Sequence, residues 1–347
     1  MRIQPWLRPI LFPFALLYAL GMRLRAWAYA RGLLGSISLS RACISVGNIS
    51  WGGSGKTPLC MWLLDWAINR KQMPVLISRG YKACPPAFPY LVKPSDQPDK
   101  SGDEPLMISQ AHPEASIIID PQRRRAGKWA LNYLGPDLFV LDDAFQHLQV
   151  KRDLDLVLIR AQDLERDWNL SIPAGSWREG KAALHRASAF LLNLEPARFR
   201  QLEDKLTDRL LPFCKPIFSF YLQIQGAIRV EDKAYEALPA NEPYLLVTAV
   251  GDPDKVLQST SKSLGHRPEK HLAFSDHHFF SEKDWRFIRA QAGKLGCKQI
   301  FCTPKDAVKL KSFADSLLWT FDLRLQFGAY LNSKSNFPKW LEKTLLF

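Results

Sequence analysis

The sequence predicts an α/β fold, in which a doubly wound, mostly parallel sheet is followed by a second, smaller α/β domain. Two observations support this prediction. From residue 42 onward, short apolar and β-prone stretches alternate with helical segments, which is the order expected of parallel strands joined by crossover helices. A glycine-rich turn separates the first strand of this series from its first helix. The chain has 347 residues, which is long enough for two domains.

The first 34 residues are predicted to form a membrane-associated helix. Their apolar run, residues 10–22, is shorter than the ~20 residues that a spanning helix needs. No acidic residue precedes Asp65, whereas seven Lys and Arg residues do. Basic flanks with interleaved Trp and Tyr suit the headgroup region of an anionic bilayer. We therefore expect an interfacial helix on the cytoplasmic leaflet. A first helix packed on the domain and a true membrane span are the alternatives.

The charge and the cysteines restrict the class of protein. A net charge of +13 indicates a negatively charged partner, such as a nucleic acid, an anionic membrane or a phosphorylated ligand. The excess charge is concentrated around the apolar N-terminal segment, so we expect no nucleic-acid partner. The six cysteines form no C-x-x-C pair, which argues against a zinc site or a disulfide scaffold and fits a reducing cytosol.

A strand predicted at residues 43–46 leads into a glycine-rich loop and then an apolar helix at 59–68. The loop and the helix start contain Gly52, Gly53, Ser54, Gly55, Lys56, Thr57 and Pro58. This order is typical of a P-loop NTPase, in which backbone N–H groups and a helix N-terminus bind phosphates. Lys56 is expected to contact the β- and γ-phosphates of ATP, and the Thr57 hydroxyl to bind Mg²⁺. Ser50 departs from the general pattern, which has glycine at that position.

A second strand ends in acidic residues. Residues 137–142 are apolar up to Asp142, and Asp143 follows directly. P-loop enzymes use an acid at the end of an apolar strand to hold Mg²⁺ opposite the Lys-Thr pair. The sequence therefore predicts a metal site formed by Thr57, Asp142 and Asp143.

Two other segments leave alternatives open. Asp103 and Glu104 follow Gly102 at a predicted helix start, where they either stabilise the helix dipole or direct a carboxylate toward the nucleotide site. His277 and His278 are adjacent, so their side chains point in different directions and do not easily share one metal ion. A single histidine that orients a carboxylate is the simpler functional interpretation.

The remaining elements complete the predicted arrangement. Further strands are predicted at residues 73–78, 116–120, 153–160, 188–193, 215–223, 244–250 and 299–303, and a last helix at 334–347. A loop near residue 175 brings in Arg178, and three arginines at 123–125 either bind phosphates or form a solvated face. A polar, proline-containing linker at 226–239 is predicted to separate a nucleotide-binding domain of residues 35–225 from a smaller domain of residues 240–347.

In combination, these motifs resemble the lipid A 4'-kinase (tetraacyldisaccharide 4'-kinase) family over nearly the whole chain. The segments that carry the resemblance are residues 45–58, Ser78-Arg-Gly-Tyr81, Gly102-Asp-Glu-Pro105, Asp142-Asp-Ala-Phe-Gln-His147, Pro173-Ala-Gly-Ser-Trp-Arg-Glu179, Asp276-His-His278 and Lys305-Asp-Ala-Val-Lys-Leu310. Each segment alone is a weak signal, whereas their combination and order are specific. Ala144 departs from the family pattern but removes no group that does chemistry.

The resemblance implies a kinase at the cytoplasmic face of the bacterial inner membrane. Such an enzyme moves the γ-phosphate of ATP, with Mg²⁺, to the 4'-hydroxyl of an acylated glucosamine disaccharide in lipopolysaccharide assembly. The resemblance places the catalytic aspartate at Asp103 and its partner histidine at His277. It places the P-loop lysine at Lys56 and the arginine near the phosphates at Arg178.

A membrane-associated P-loop ATPase of the partitioning type is the alternative, because it shares the Gly-Gly-x-Gly-Lys-Thr sequence. Such ATPases carry a lysine just before the paired glycines, where this chain has Trp51. They hydrolyse ATP without a lipid acceptor, so lipid-dependent phosphate transfer distinguishes the two functions.

Overall fold

The computed structural model describes residues 5–238 and 242–345. Within those residues the strands form one 13-stranded sheet, in the order β11-β10-β12-β13-β8-β7-β6-β1-β5-β2-β4-β3, with β9 paired to β8. The strands are β1 (Ala42–Asn48), β2 (Pro74–Ser78), β3 (Tyr90–Leu91), β4 (Ser116–Ile119), β5 (Leu138–Asp142), β6 (Leu154–Leu158), β7 (Ala189–Asn193), β8 (Ile217–Arg229), β9 (Tyr235–Glu236), β10 (Tyr244–Thr248), β11 (Lys270–Ala273), β12 (Gln299–Cys302) and β13 (Leu318–Leu331).

Helices cover both faces of this sheet. They are α1 (Arg8–Ala30), α2 (Lys56–Ile68), α3 (Pro98–Ser101), α4 (Asp103–Ala111), α5 (Arg123–Tyr133), α6 (Ala161–Glu165), α7 (Pro196–Gln201), α8 (Glu203–Leu210), α9 (Pro253–Leu264), α10 (Glu282–Lys294), α11 (Pro304–Leu310) and α12 (Phe337–Leu345). Most strand pairs are parallel, so the predicted α/β fold with a mostly parallel sheet is confirmed.

The centre of the sheet explains how the acid-ended strand reaches the phosphate loop. Strand β1 lies between β5 and β6 and is parallel to both. In the β1–β5 register, Val46 lies opposite Asp142. Residues 43–48 of β1 are buried, as expected for a parallel strand covered on both faces. The loop after β1 and the acids after β5 therefore emerge at the same edge of the sheet.

Two long antiparallel strands, β8 and β13, join the halves of the sheet. The sequence did not predict β13, and it predicted only the first part of β8. The predicted linker at 226–239 includes the end of β8 and all of β9, so its start is part of the sheet. The reason is that the outer part of β8 is half-exposed and carries polar residues, which resemble a linker when the partner strand is unknown. The division into domains 35–225 and 240–347 stays a prediction.

Helix α1 is 23 residues long and extends beyond the predicted apolar run of residues 10–22. By length and composition it could cross a membrane, and of its residues only Ala15 is buried. Polar contacts join it to the rest of the chain, since Arg8 pairs with Asp167 at 3.0 Å and the Tyr18 hydroxyl donates to the Arg178 carbonyl at 3.0 Å. The helix therefore lies beside the loop that carries Arg178 and leaves an apolar side exposed.

Candidate active site

The phosphate loop occupies residues 49–55, between β1 and α2. Gly52 and Gly55 have φ angles of +113° and +93°, a region that side chains rarely adopt. Space is also restricted, because a Cβ on Gly55 would lie 2.8 Å from Asn193 Nδ2 and 3.1 Å from the Phe220 ring. The loop conformation therefore requires glycine, and it leads directly into the N-terminus of α2, where the helix dipole favours an anion.

Ser50, the departure from the general loop pattern, has a structural explanation. Its hydroxyl donates to Asp163 Oδ2 at 2.7 Å. Asp163 is fully buried and pairs with Arg160 Nη2 at 2.9 Å. The Arg160 guanidinium in turn lies against Gly52, since a Cβ there would be 2.7 Å from Nη1. Ser50 thus fixes the start of the loop through the buried carboxylate of an ion pair.

Two cations converge beside the loop. Lys56 Nζ lies 3.4 Å from Asn48 Oδ1 and 3.5 Å from Asp143 Oδ1. Arg178 Nη1 lies 3.0 Å from both oxygens of Asp143, and its Nη2 donates to Asn48 Oδ1 at 2.9 Å. Burial raises the pKa of Asp143, but Lys56 and Arg178 outweigh this effect, so the pKa lies below its ordinary value. The structure therefore brings together Lys56, Asp143 and Arg178, which the sequence assigned to one site.

Asp142 lies beside this group, but among the described residues no cation contacts its carboxylate directly. It accepts a hydrogen bond from the Ser78 hydroxyl at 2.9 Å, and Cys60 Sγ lies 3.9 Å away. Burial, together with the nearby Glu104 carboxylate, raises the pKa of Asp142 to about 6 despite the opposing effect of Lys56. A buried carboxylate with a raised pKa is stabilised by a divalent cation, so Asp142 fits the predicted magnesium site.

Thr57 has a different partner from the predicted one. Its hydroxyl donates to Glu104 Oε2 at 2.6 Å. In the described part of the chain, no group of three or more His, Cys, Asp or Glu side chains could hold a metal ion by itself. Mg²⁺ typically uses one or two carboxylates together with substrate phosphates. The residues present therefore fit a magnesium ion that binds with ATP.

Asp103 is the first residue of α4 and follows Gly102, whose φ is +82°. Its Oδ2 lies 3.2 Å from Nδ1 of His277. His277 has a φ of +60°, and such left-handed backbone in a non-glycine residue is concentrated at functional sites. The neighbouring His278 turns the other way, with Nε2 3.3 Å from Asp284 Oδ2. The geometry thus favours the functional interpretation of Asp103 and the single-histidine interpretation of the His pair.

Of the arginines at 123–125, Arg123 and Arg125 have structural contacts, and Arg124 is exposed. Arg123 is buried and donates to the carbonyls of Asp120 and Asp142, both at 3.0 Å. Arg125 pairs with the buried Asp120 at 2.8 Å. His147 lies nearby, and burial followed by the charge of Arg123 lowers its pKa to about 4. His147 is therefore neutral at physiological pH.

Sequence reasoning assigned no role to several side chains that the structure brings to the site. They are Asn48, Ser78, Gln146 and Lys305. A usable signal existed for two of them, because Asn48 and Ser78 end parallel strands at the edge that carries the site. Lys305 lies in one of the segments that carry the family resemblance, but its contact with the site depends on the packing of α11 beside α4. Glu104, for which the sequence left a helix-dipole role and a site role open, contacts Thr57 and Lys305.

The site combines three features: a phosphate loop, an acid at the end of the adjacent parallel strand, and a carboxylate–histidine pair beside both. Together they define a P-loop enzyme that binds a nucleoside triphosphate. The family model described as tetraacyldisaccharide-1-P 4'-kinase matches residues 7–345. The chain therefore belongs to the tetraacyldisaccharide 4'-kinase family, a family of ATP-dependent kinases, and the resemblance seen in the sequence is confirmed.

Individual relatives agree with this assignment. The chain is 43% identical to tetraacyldisaccharide 4'-kinase of Nitratidesulfovibrio vulgaris over 98% of this chain and 95% of that protein. It is 42% identical to the protein of the same name from Oleidesulfovibrio alaskensis, over 96% and 92% of the two chains. Among solved structures, it is similar to the "apo" form of LpxK from Aquifex aeolicus in complex with ATP, with a TM-score of 0.75, 26% identity and 98% coverage of both chains.

Proposed function

We propose that this chain transfers the γ-phosphate of ATP to the 4'-hydroxyl of an acylated glucosamine disaccharide, a lipid A precursor. The observation that carries the proposal is the Asp103–His277 pair at 3.2 Å, placed beside the phosphate loop through the contact of Glu104 with Thr57. This arrangement supports the assignment of a proton acceptor beside the triphosphate site. An ATPase that has no lipid acceptor does not need a base positioned to accept a proton from a sugar hydroxyl.

Charge neutralisation is the main contribution of the protein in phosphoryl transfer. We assign Lys56 and Arg178 to the transferred phosphate, because both cations lie at the loop and share Asn48 and Asp143 as partners. Backbone N–H groups of residues 52–57 would hold the other phosphate oxygens. Thr57, Asp142 and Asp143 would hold Mg²⁺, which when bound offsets charge on the phosphate oxygens.

We assign Asp103 as the group that accepts the proton of the sugar hydroxyl. An aspartate carboxylate is a weak base, so its orientation and hydrogen bonding decide its usefulness. His277 contacts one oxygen of Asp103, which leaves the other oxygen for the hydroxyl. His277 is thereby the residue that orients the base.

Helix α1 is assigned to the membrane surface. Its exposed apolar side chains include Leu17 and Leu20, which are 67% and 52% exposed. Its basic flanks suit the cytoplasmic leaflet of the inner membrane, where ATP is available and anionic lipids attract Lys and Arg. Protease added to spheroplasts should leave the chain intact, whereas protease added to inverted membrane vesicles should cleave it. Cleavage in spheroplasts would contradict this side assignment.

Transfer of labelled γ-phosphate from ATP to an acylated glucosamine disaccharide in detergent micelles tests the proposed reaction. The control is the same mixture without the lipid. A labelled lipid that forms only when both substrates are present supports the proposal. Release of labelled inorganic phosphate with no labelled lipid would instead support an ATPase of the partitioning type.

A further inference from the structure

Lys305 contacts the catalytic pair from the side of His277 that faces away from Asp103. Its Nζ lies 3.4 Å from Nε2 of His277, while Nδ1 of the same ring faces Asp103 at 3.2 Å. We propose that Lys305 is a positioning residue that holds His277 in the tautomer with its proton on Nδ1. This inference rests on the proposed function, since it concerns how the base of that reaction is oriented.

The tautomer follows from the chemistry of the two partners. A lysine ammonium has three N–H donors and no acceptor. The His277 nitrogen that faces Lys305 must therefore carry a lone pair, which places the proton of the neutral ring on Nδ1. That N–H then donates to Asp103 Oδ2. In the other tautomer, a lone pair on Nδ1 would face the carboxylate oxygen and repel it.

The position of Lys305 is fixed by its own helix. Lys305 is the second residue of α11, and Thr303 caps this helix by accepting a hydrogen bond from the Asp306 backbone N–H. Asp306 Oδ2 also accepts from the Ala249 N–H at 2.9 Å, which ties α11 to the chain just after β10. Lys305 is only 16% exposed. Its ammonium is thus held in place by the fold rather than moving freely in solvent.

Two carboxylates balance the charge of Lys305. Glu104 Oε1 lies 3.4 Å from its Nζ, and Asp276 Oδ1 lies 3.7 Å away. The other oxygen of Glu104 accepts from the Thr57 hydroxyl. The same ammonium therefore contacts the catalytic histidine and a carboxylate that reaches the phosphate loop.

The groups around His277 explain why Lys305 is needed. Besides Asp103 and Lys305, the ring faces Asp276, whose Oδ1 lies 3.9 Å from Nε2, and the Tyr81 ring, whose centroid is 5.3 Å away. Without the ammonium, Asp276 would be the nearest charged group to Nε2 and would favour a proton there. Lys305 opposes that state both by its positive charge and by donating to the lone pair.

The test compares Lys305→Met, which keeps the aliphatic stem, with Lys305→Arg, which keeps the charge and the donors. Lys294→Met, an exposed lysine of α10, is the matched control. In Lys305→Met, kcat should fall by about 10- to 100-fold, while KM for ATP should stay within about twofold. This loss is smaller than the ~10²–10⁴-fold that a general base itself contributes, because Lys305 acts only through His277. Lys305→Arg should recover most of the activity, and Lys294→Met should match the wild type.

Nitrogen NMR of the His277 ring provides a readout that does not depend on activity. The signal should be assigned by its loss in His277→Asn. In the wild type and in Lys305→Arg, Nε2 should be unprotonated at neutral pH, and in Lys305→Met its signal should shift toward that of a protonated nitrogen.

Wild-type kcat in Lys305→Met would overturn the proposal. A reduced kcat with unchanged His277 nitrogen signals would also overturn it, because Lys305 would then have only a structural role. If the wild type transfers no phosphate to the lipid, the proposed function fails. The NMR result would still show whether Lys305 sets the tautomer.

Discussion

Asp103 Oδ2 and His277 Nδ1 lie 3.2 Å apart although 174 positions separate the two residues in the sequence. His277 has a left-handed backbone with a φ of +60°, and Asp103 follows Gly102, whose φ of +82° is a conformation open to glycine. The conformation of His277 costs of order 1–3 kcal/mol and persists where the surrounding structure fixes it. The pair is therefore held by the packing of α4 against the second half of the chain.

Replacing the proposed base should stop transfer without affecting nucleotide binding. Asp103→Asn keeps the shape of the side chain but removes its basicity, so kcat should fall by ~10²–10⁴-fold. ATP affinity, measured by calorimetry, should stay within about twofold, because Asp103 makes no contact with the phosphate loop among the described residues. Asp99→Asn, at an exposed position in α3, is the control. Normal turnover in Asp103→Asn would remove this residue from the mechanism.

Removing the loop lysine should reduce both binding and transfer. Lys56→Ala deletes a cation that lies 3.5 Å from Asp143 at the phosphate site. A hydrogen bond to a charged group contributes about 1.5–3 kcal/mol, so ATP affinity should fall by about 10- to 100-fold. Lys283→Ala, an exposed lysine of α10, should bind ATP normally. Unchanged ATP affinity in Lys56→Ala would contradict the assignment of Lys56 to the phosphates.

The raised pKa of Asp142 predicts a conflict between stability and function. Because the folded protein raises this pKa from 3.8 to about 6, the fold favours the protonated form. This contribution to stability is complete below the ordinary pKa and is lost as the pH rises through about 6. At neutral pH the ionised carboxylate costs at most ~3 kcal/mol. Asp142→Asn should therefore raise the thermal stability of the nucleotide-free protein at neutral pH while lowering kinase activity.

The pH dependence of unfolding is the measurement for Asp142. The stability difference between Asp142→Asn and the wild type should be largest near about pH 7 to 8 and shrink toward about pH 4. Asp208→Asn, at an exposed position in α8, serves as the control. A difference that is constant over this range would show that ionisation of Asp142 does not affect the fold.

Charges on the exposed side of α1 should weaken membrane binding. Leu17→Glu and Leu20→Glu place carboxylates where apolar side chains are now exposed. Burying a leucine contributes about 1.5–3 kcal/mol, so each change should lower binding to anionic vesicles by about tenfold or more in sedimentation assays. ATP affinity in solution should not change. The control is Leu295→Glu, at a 38% exposed position in the second half of the chain, which should bind vesicles as the wild type does. If the two α1 variants bound vesicles as well as this control, α1 would have no membrane role.

The phosphate loop could be predicted from the sequence because its parts are contiguous. Gly52, Gly55, Lys56 and Thr57 lie within six residues, and the flanking strand and helix have clear apolar patterns. The apolar run before Asp142 likewise predicted that Asp142 and Asp143 lie at the end of a buried strand. The β1–β5 register then brings both groups to one edge of the sheet, which follows from the rule that parallel strands end on the same side.

The tertiary structure alone decided how distant residues combine. The partners of Ser50 and Asp103 lie 113 and 174 positions away, and those of β8 lie in β13. Lys305 joins His277 and Glu104 only because α11 packs beside α4. Short-range patterns indicated most of the buried strands and the helices beside them, because local geometry depends on neighbouring residues, but they missed β13 and the outer part of β8. Contacts between side chains far apart in sequence depend on which surfaces are buried together, and that is settled only when the whole core is packed.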